Sequence, residues 1–182
     1  MAAKGDLPVA RLLPSGVAFA ADYRIGRQNA TIGGQRRAMA NQNEIVAIMV
    51  RLLVDGQQSL FIMLGDDGSI SRMGTGRVDK RQDELFVGKT DAAMFQGLRQ
   101  QIGPELLDWF GKQLEDTQAR GKICELTVAL KYADGRESAT AWRYGTESPG
   151  PPPEAVQFVI AAVNTTNPWF EEFRSMSRSS RA

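Results

Sequence analysis

The 182-residue chain has no histidine and a single cysteine, Cys124. Without histidine it lacks the commonest general base and the commonest metal ligand, and Ser-His-Asp and Cys-His catalytic arrangements are excluded. One cysteine excludes an internal disulfide and a cysteine-rich zinc site. Because Cys124 alternates with Leu126 and Val128 on one face of a predicted strand, we expect a small core residue rather than a reactive thiolate.

A complete cofactor or metal motif is also missing from the sequence. Gly74-Thr75-Gly76-Arg77 has the glycines of a phosphate loop, but it lacks the remaining residues of a Walker sequence or of a dinucleotide fingerprint. Asp66 and Asp67 fit a turn better than a calcium loop, which needs oxygen ligands at alternating positions and a later glutamate. We therefore expect neither a cofactor nor a metal ion.

Long hydrophobic runs are absent too. No run is longer than Ile45–Val50, which is far short of the roughly 18–20 apolar residues that a membrane helix requires. Near the N-terminus, Pro8, Arg11 and Pro14 interrupt the apolar stretch that a secretory signal would need. These features predict a protein without a membrane span and with a cytoplasmic location.

Charge is distributed unevenly along the chain, whose net charge is +1. Residues 1–43 carry six basic and two acidic side chains. Residues 44–173 carry 13 basic and 19 acidic side chains, and residues 174–182 carry three basic side chains and no acidic one. Because about 100–200 residues form one domain, we predict an N-terminal arm (1–43), one folded domain (44–173) and a basic flexible tail (174–182). Within the arm, alternation of apolar with small or charged residues predicts a strand over 17–25.

The domain begins with a predicted antiparallel meander. Two apolar runs flank Asp55-Gly56, a dipeptide typical of tight hairpin turns because glycine tolerates positive φ. Similar signals predict strands over 45–54, 60–64, 69–73, 84–88, 124–132 and 137–144. The nearly continuous apolar character of the first two strands indicates that they are central and covered on both faces, although a buried helix over 44–54 would have the same pattern.

Helices are predicted in two pairs. The first pair begins at Thr90, and Pro104 opens its second helix. The second pair consists of a helix over 152–163 and a short helix after Asn167-Pro168. The apolar side of the helix over 152–163 is expected to be Val156, Val159, Ile160 and Val163. This order predicts an α+β domain, with an antiparallel, meander-like sheet of about five to six strands packed by two helix pairs.

The second predicted hairpin turns at Asp134-Gly135. A two-residue turn there sets Val128 opposite Ala141. Trp142 and Tyr144 then lie on the other face of the sheet, which must be either covered by another element or used in binding. The sequence therefore singles out this hairpin as a candidate contact surface.

The predicted contact residues combine aromatic and basic side chains. Trp142-Arg143-Tyr144 is the strongest candidate, because rigid aromatic residues and arginine are enriched in binding hot spots. Packing of the same aromatic residues under the helix over 152–163 is the alternative. Arg72 and Arg77 belong to a basic segment beside a glycine-rich backbone and add a site for an acidic partner or anion, with a solvated loop as the alternative.

Three function classes follow. The leading hypothesis is a non-catalytic protein-binding module, such as an adaptor, an assembly subunit or an inhibitor of another protein. One alternative is an enzyme with a carboxylate-based site, with or without a divalent cation, assembled from distant segments. The other is binding of nucleic acid or an acidic polymer through the basic ends of the chain, which salt would weaken.

Overall fold

A computed structural model describes residues 45–76 and 84–179 of the chain. The predicted strand over 17–25, Arg77 and the last three residues lie outside the described residues. The described chain begins with the four strands β1 (Ile45–Val54), β2 (Gln57–Gly65), β3 (Ser69–Met73) and β4 (Phe86–Lys89). The helices α1 (Ala92–Arg99) and α2 (Pro104–Leu107) follow, then β5 (Gln113–Glu115), β6 (Ile123–Tyr132), β7 (Glu137–Gly145) and α3 (Pro153–Ser179).

The seven strands form one sheet in the order β4-β3-β2-β1-β6-β7-β5. Neighbouring strands are antiparallel except β5 and β7, which run parallel. The prediction of an α+β domain with a mainly antiparallel sheet is confirmed. The predicted number of five to six strands is too low, partly because β5 consists of three exposed residues that carry no periodic pattern of their own.

The β1–β2 hairpin forms where Asp55-Gly56 predicts it. φ is +50° at Asp55 and +74° at Gly56, which is the left-handed pair of a type I′ turn whose twist suits two antiparallel strands. The segment from residue 45 is therefore a strand and not a buried helix. β1 lies in the middle of the sheet, between β2 and β6.

One face of the sheet, here called the helix face, carries the main hydrophobic core. Val50 lies there between Ile62 and Val128 on the neighbouring strands. All three helices contribute buried side chains to the same cluster, namely Phe95, Leu98, Leu106, Ala155, Phe158, Ala162, Trp169 and Phe170. The helices therefore stabilise the sheet from this side.

α3 is one continuous helix of 27 residues, so the predicted second helix pair is wrong. Pro168 lies inside it, although proline has no amide hydrogen to donate and disfavours a helical residue before it. The two preceding residues, Thr166 and Asn167, accept hydrogen bonds from Arg72 of β3. These contacts favour continuation of the helix through residues that are polar enough to resemble a loop.

The buried side of α3 also differs from the predicted one. Val156 and Ile160 are exposed, whereas Val159 and Val163 are half-buried. The residues that face the sheet are Ala155, Phe158, Ala162, Thr166, Trp169 and Phe170. Alanine at two of these positions lets the helix backbone approach the sheet closely, which a count of large apolar residues does not reveal.

Among the described residues, no helix is both long and apolar enough to cross a membrane.

The β6–β7 hairpin turns through three residues rather than two. The Gly135 amide donates to the Tyr132 carbonyl at 2.9 Å, and the Tyr132 amide donates to the Arg136 carbonyl at 2.9 Å. Gly135 has a φ of +84°, as expected for a three-residue loop that ends in the left-handed region. The extra loop residue shifts the register of the two strands by one position.

This shift changes the face on which the aromatic residues of β7 lie. Trp142 is opposite Leu126, and Tyr144 is opposite Cys124. Since side chains alternate between faces, a one-residue shift moves each of them to the other side of the sheet. Trp142 and Tyr144 therefore lie on the helix face, together with Val128, and the predicted register is wrong.

The other side of the sheet, here called the second face, carries a smaller apolar cluster. Met49, Ala129 and Ala139 are buried in it, and Phe61 packs against them. All four residues belong to strands. The second face is therefore apolar in its middle without any contribution from the three described helices to this cluster.

Candidate protein-interaction surface

Arg72 lies on the helix face of β3 and is fully buried. Its guanidinium donates to the Gly74 carbonyl at 3.3 Å, to Thr166 Oγ1, and to Asn167 Oδ1 at 3.1 Å. The guanidinium carbon lies 5.0 Å from the centre of the Phe170 ring, within the range of a cation–π contact. Arg72 thus joins β3 to α3 through three uncharged acceptors and one aromatic ring.

Burial lowers the pKa of the Arg72 guanidinium to about 10, although the negative charge of Glu171 acts in the opposite direction. The side chain therefore keeps its positive charge at neutral pH. Its position inside the protein means that it stabilises the contact between strand and helix, and a partner in solution does not reach it.

Arg174, the first residue of the predicted basic tail, belongs to α3. It donates to Glu171 Oε1 at 2.8 Å, and its guanidinium carbon lies 5.4 Å from the centre of the Phe170 ring. The helix continues through Ser179, so most of the segment expected as a tail is helical.

Trp142 is only 4% exposed and packs edge to face against Trp109, with ring centres 6.5 Å apart. The Trp109 indole nitrogen donates to Glu154 Oε1 at 2.5 Å, close to the start of α3. The Trp142 indole nitrogen is buried and has no hydrogen-bond partner among the described residues. Trp142 is therefore a core residue, and it is linked to the start of α3 through Trp109.

Tyr144 is half-buried opposite Cys124. Burial raises the pKa of Tyr144 to about 12, and the Cys124 thiol adds to this increase. Burial also raises the pKa of Cys124, with Asp55 acting in the same direction and the hydrogen bond with Tyr144 opposing it. Both groups are protonated at neutral pH, so Cys124 does not have the thiolate that a nucleophile needs.

Arg143 lies on the second face and is exposed. Its Nη1 atom donates to Glu115 Oε1 at 2.5 Å, and its Nε atom lies 3.5 Å from Glu125 Oε1. Arg72 is far from this hairpin, because four strand spacings of about 4.8 Å separate β3 from β7. The structure therefore places Trp142 and Tyr144 on the helix face and Arg143 on the second face, and Arg72 shares the helix face with the two aromatic residues but lies far from them.

The second face has an apolar side and a charged side. Met63 lies between Met49 of β1 and Ser71 of β3, and Ser71 in turn pairs with Val87 of β4. In the next row Phe61 pairs with Met73. On the side formed by β6, β7 and β5, the residues of this face include Glu125, Lys131, Glu137, Arg143 and Glu115. Apolar residues thus extend toward the β4 edge and charged residues toward the β5 edge.

Four residues at the apolar edge form the β4 patch: Phe61, Met73, Leu85 and Val87. Leu85, just before β4, is 47% exposed, and Val87 is 42% exposed. Phe61 and Met73 beside them are half-buried. β4 is the edge strand at this end of the sheet, with no strand on its outer side among the described residues. The patch therefore combines accessible apolar side chains with a strand that has no second strand neighbour among the described residues, and at its end the Lys89 carbonyl accepts a hydrogen bond from Trp169 Nε1 at 3.1 Å.

Arg51 marks the boundary between the apolar and charged sides. Its Cα partners are Phe61 on β2 and Thr127 on β6. Its Nε atom is buried and has no hydrogen-bond partner among the described residues. A buried donor without an acceptor is costly, so the Nε atom of Arg51 is an unfavourable feature at this boundary.

Sequence reasoning missed the β4 patch. Leu85 and Val87 were part of a predicted strand over 84–88, but a single strand does not show whether it lies at an edge. Phe61 and Met73 belong to other strands, and only the register places them beside it. Leu85, Phe86 and Val87 are consecutive apolar residues, so both sides of this strand are apolar. This pattern indicates that each side is either covered by another element or used in binding.

Polar groups also gather at the ends of β6 and β7. A surface groove of about 630 Å³ is lined by Asp116, Gln118, Arg120, Ser148 and Pro149. The Arg120 amide donates to Ser148 Oγ at 2.7 Å, which joins the two loops that form it. Within the described part of the chain, no three metal-ligating side chains are grouped so that they could hold a metal ion.

Comparisons with protein family models, curated proteins and solved structures find no match to this chain.

Proposed function

We propose that this protein is a non-catalytic protein-binding module that contacts its partner through the β4 patch. The observation that carries the proposal is the pair of exposed side chains Leu85 and Val87 on an edge strand, beside half-buried Phe61 and Met73. A cytoplasmic location is part of the same proposal and is based on the sequence alone.

The chemistry of the patch suits protein recognition. Aromatic residues and methionine are enriched in protein interfaces, and the flexible thioether of methionine adapts to the shape of a partner. Binding would remove the Leu85 and Val87 side chains from water, which stabilises a complex by roughly 25 cal/mol for each Å² of apolar surface.

The edge position indicates the kind of partner. An edge strand presents backbone amide and carbonyl groups that an extended segment of another protein can pair with. Such a segment would place alternate apolar side chains against Val87 and Leu85. We therefore expect a partner protein that adds a strand to β4.

The experiment compares three versions of the full chain as bait: the wild type, Leu85→Glu with Val87→Glu, and the control Ile160→Glu. Ile160 is an equally exposed apolar residue, but it lies on α3. Each bait is incubated with a lysate of the source cells at physiological and at high salt, and the retained molecules are quantified by mass spectrometry.

The proposal requires a protein that the wild type and Ile160→Glu retain at near-stoichiometric amounts under both salt conditions and that the Leu85→Glu, Val87→Glu variant loses. Equal retention by all three baits would overturn the assignment to the β4 patch. Retention of nucleic acid that is lost at high salt would overturn the proposal in favour of the basic ends. The carboxylate-based enzyme stays a prediction from the sequence.

A further inference from the structure

The middle of the second face is buried although the described helices lie on the other side of the sheet. Ala47, Met49, Met63, Ala129 and Ala139 are each between 0% and 8% exposed. Of these, Met49, Ala129 and Ala139 form a cluster built from strand residues alone. Among residues 45–76 and 84–179, no helix contributes a buried side chain to this cluster.

An apolar sheet face of this kind needs a second layer. Antiparallel sheets that leave one face in water alternate apolar with polar residues, whereas β1 is apolar except at Arg51 and β2 is apolar from Leu60 to Leu64 without interruption. Stable domains consist of two or three packed layers, because each apolar face must be covered by another element. The helices supply one layer, and the second face requires another.

The composition of the remaining chain selects the segment that can provide it. Residues 77–83 contain one apolar residue, Val78, among charged and polar ones, and residues 180–182 are too few. In residues 1–16 the apolar residues are interrupted by Pro8, Arg11 and Pro14. Residues 17–25 alternate larger apolar residues with small or charged ones, apart from Ala21, and the apolar side consists of Val17, Phe19, Ala21, Tyr23 and Ile25. This pattern is that of a strand with one apolar face.

The segment can also reach the face. Residues 26–44 connect it to β1, which is the central strand of the sheet. These 19 residues span up to roughly 60 Å when extended. Seven strands with spacings of about 4.8 Å make a sheet roughly 30 Å wide, so the connection is long enough for any position on it.

We propose that residues 17–25 dock on the middle of the second face, with the side chains of Phe19 and Tyr23 against Met49 and Met63. The segment forms the second layer of the domain and leaves the exposed β4 patch beside it. Because the inference concerns the burial of the central methionines, it does not depend on whether the β4 patch binds a partner.

The two methionines report on the docking. Hydrogen peroxide oxidises methionine to the sulfoxide according to its accessibility, and peptide mass spectrometry measures the oxidised fraction at each site. Met176, which is 52% exposed, is the internal reference. In the wild-type chain we expect Met49 and Met63 to be oxidised at least roughly tenfold more slowly than Met176.

Paired variants of the full chain test the segment. Phe19→Asp with Tyr23→Asp places two charges on its apolar side, and Ala18→Asp with Ala20→Asp places the same two charges on its other side. In the first variant we expect Met49 and Met63 to be oxidised nearly as fast as Met176. In the second variant we expect them to be oxidised as slowly as in the wild type. Slow reaction of buried Cys124 with a thiol reagent shows that each variant is folded.

Three results would overturn the inference. The first is oxidation of Met49 and Met63 at the rate of Met176 in the wild-type chain, which needs no variant. The second is unchanged protection in a folded Phe19→Asp, Tyr23→Asp variant. The third is protection that disappears when the wild-type protein is diluted, because a second copy of the chain would then cover the face.

Discussion

Arg72 of β3 donates a hydrogen bond to Asn167 Oδ1 over 3.1 Å, directly before Pro168 of α3. The same guanidinium donates to Thr166 Oγ1, which in turn donates to the Ala162 carbonyl at 2.8 Å. A threonine that bonds back to the preceding turn and a proline both tend to bend a helix. The sheet thus holds the helix at the place where its own hydrogen bonding is weakest.

We predict that Arg72→Ala lowers the free energy of unfolding by about 2–4 kcal/mol, because it leaves a cavity and unpaired acceptors. Arg72→Met fills most of the volume and removes the buried charge, so its loss is expected to be about half as large. Urea denaturation followed by tryptophan fluorescence measures both values. A change below about 0.5 kcal/mol for Arg72→Ala would contradict the role of this contact, since surface substitutions have effects of that size.

Local signals predicted much of the sheet. The Asp55-Gly56 turn and the apolar runs beside it favour the β1–β2 hairpin, because φ and packing preferences agree there, although the apolar run over 44–54 alone also fits a buried helix. The position of Trp142 was not predictable in the same way. Asp134-Gly135 suits turns of two or three residues, and the difference of one residue decides which face each side chain of β7 occupies.

The resulting positions of Trp142 and Arg143 predict a large loss of stability for one substitution and a small loss for its neighbour. Trp142→Ala is expected to lower the free energy of unfolding by about 3–5 kcal/mol, because it removes a large buried side chain. Arg143→Ala breaks only exposed ion pairs and is expected to cost less than about 1 kcal/mol. Denaturation curves of both variants under the same conditions give the comparison, and equal losses would mean that Trp142 is not a core residue.

The β4 patch and the path of α3 depend on contacts between segments far apart in the sequence. Asn167-Pro168 resembles a helix boundary, and only the contact with Arg72 shows why the helix continues. Similarly, Leu85 and Val87 become a surface feature only once β4 is found at an edge of the sheet. Such nonlocal contacts override local preferences and cannot be obtained from the spacing of residues within one segment.

The ion pair between Asp67 and Lys89 predicts that the free energy of unfolding falls slightly in acid. Lys89 Nζ lies 2.8 Å from Asp67 Oδ2, and this hydrogen bond, with further ones from Ser69, holds the pKa of Asp67 well below its usual range. The stabilisation is complete above the unfolded pKa near 4 and is lost as the pH falls toward the folded value. Since both side chains are partly exposed, Asp67→Asn is expected to cost about 0.5–1 kcal/mol at pH 7.

The measurement is the difference in unfolding free energy between wild type and Asp67→Asn at pH 7 and at pH 2.5. The difference should shrink at the lower pH, because the wild-type carboxylate loses its charge in the unfolded state first and then in the folded state. A control variant, Asp66→Asn, removes a neighbouring carboxylate without the Lys89 contact. If the Asp67→Asn difference grew in acid, the assigned cause of the pKa change would be wrong.

Tyr144 predicts a loss of stability in base. Its pKa is raised to about 12, mainly by burial, so the unfolded chain loses the phenolic proton near pH 10 while the folded chain still holds it. The stabilisation from the protonated side chain is therefore complete below pH 10 and disappears as the pH rises toward 12. Tyr144→Phe keeps the ring but cannot ionise, so we expect its unfolding free energy to fall less than that of the wild type between pH 9 and pH 11. Urea denaturation at these two pH values measures the difference, and parallel losses in both proteins would show that Tyr144 ionises as freely in the folded chain as in water.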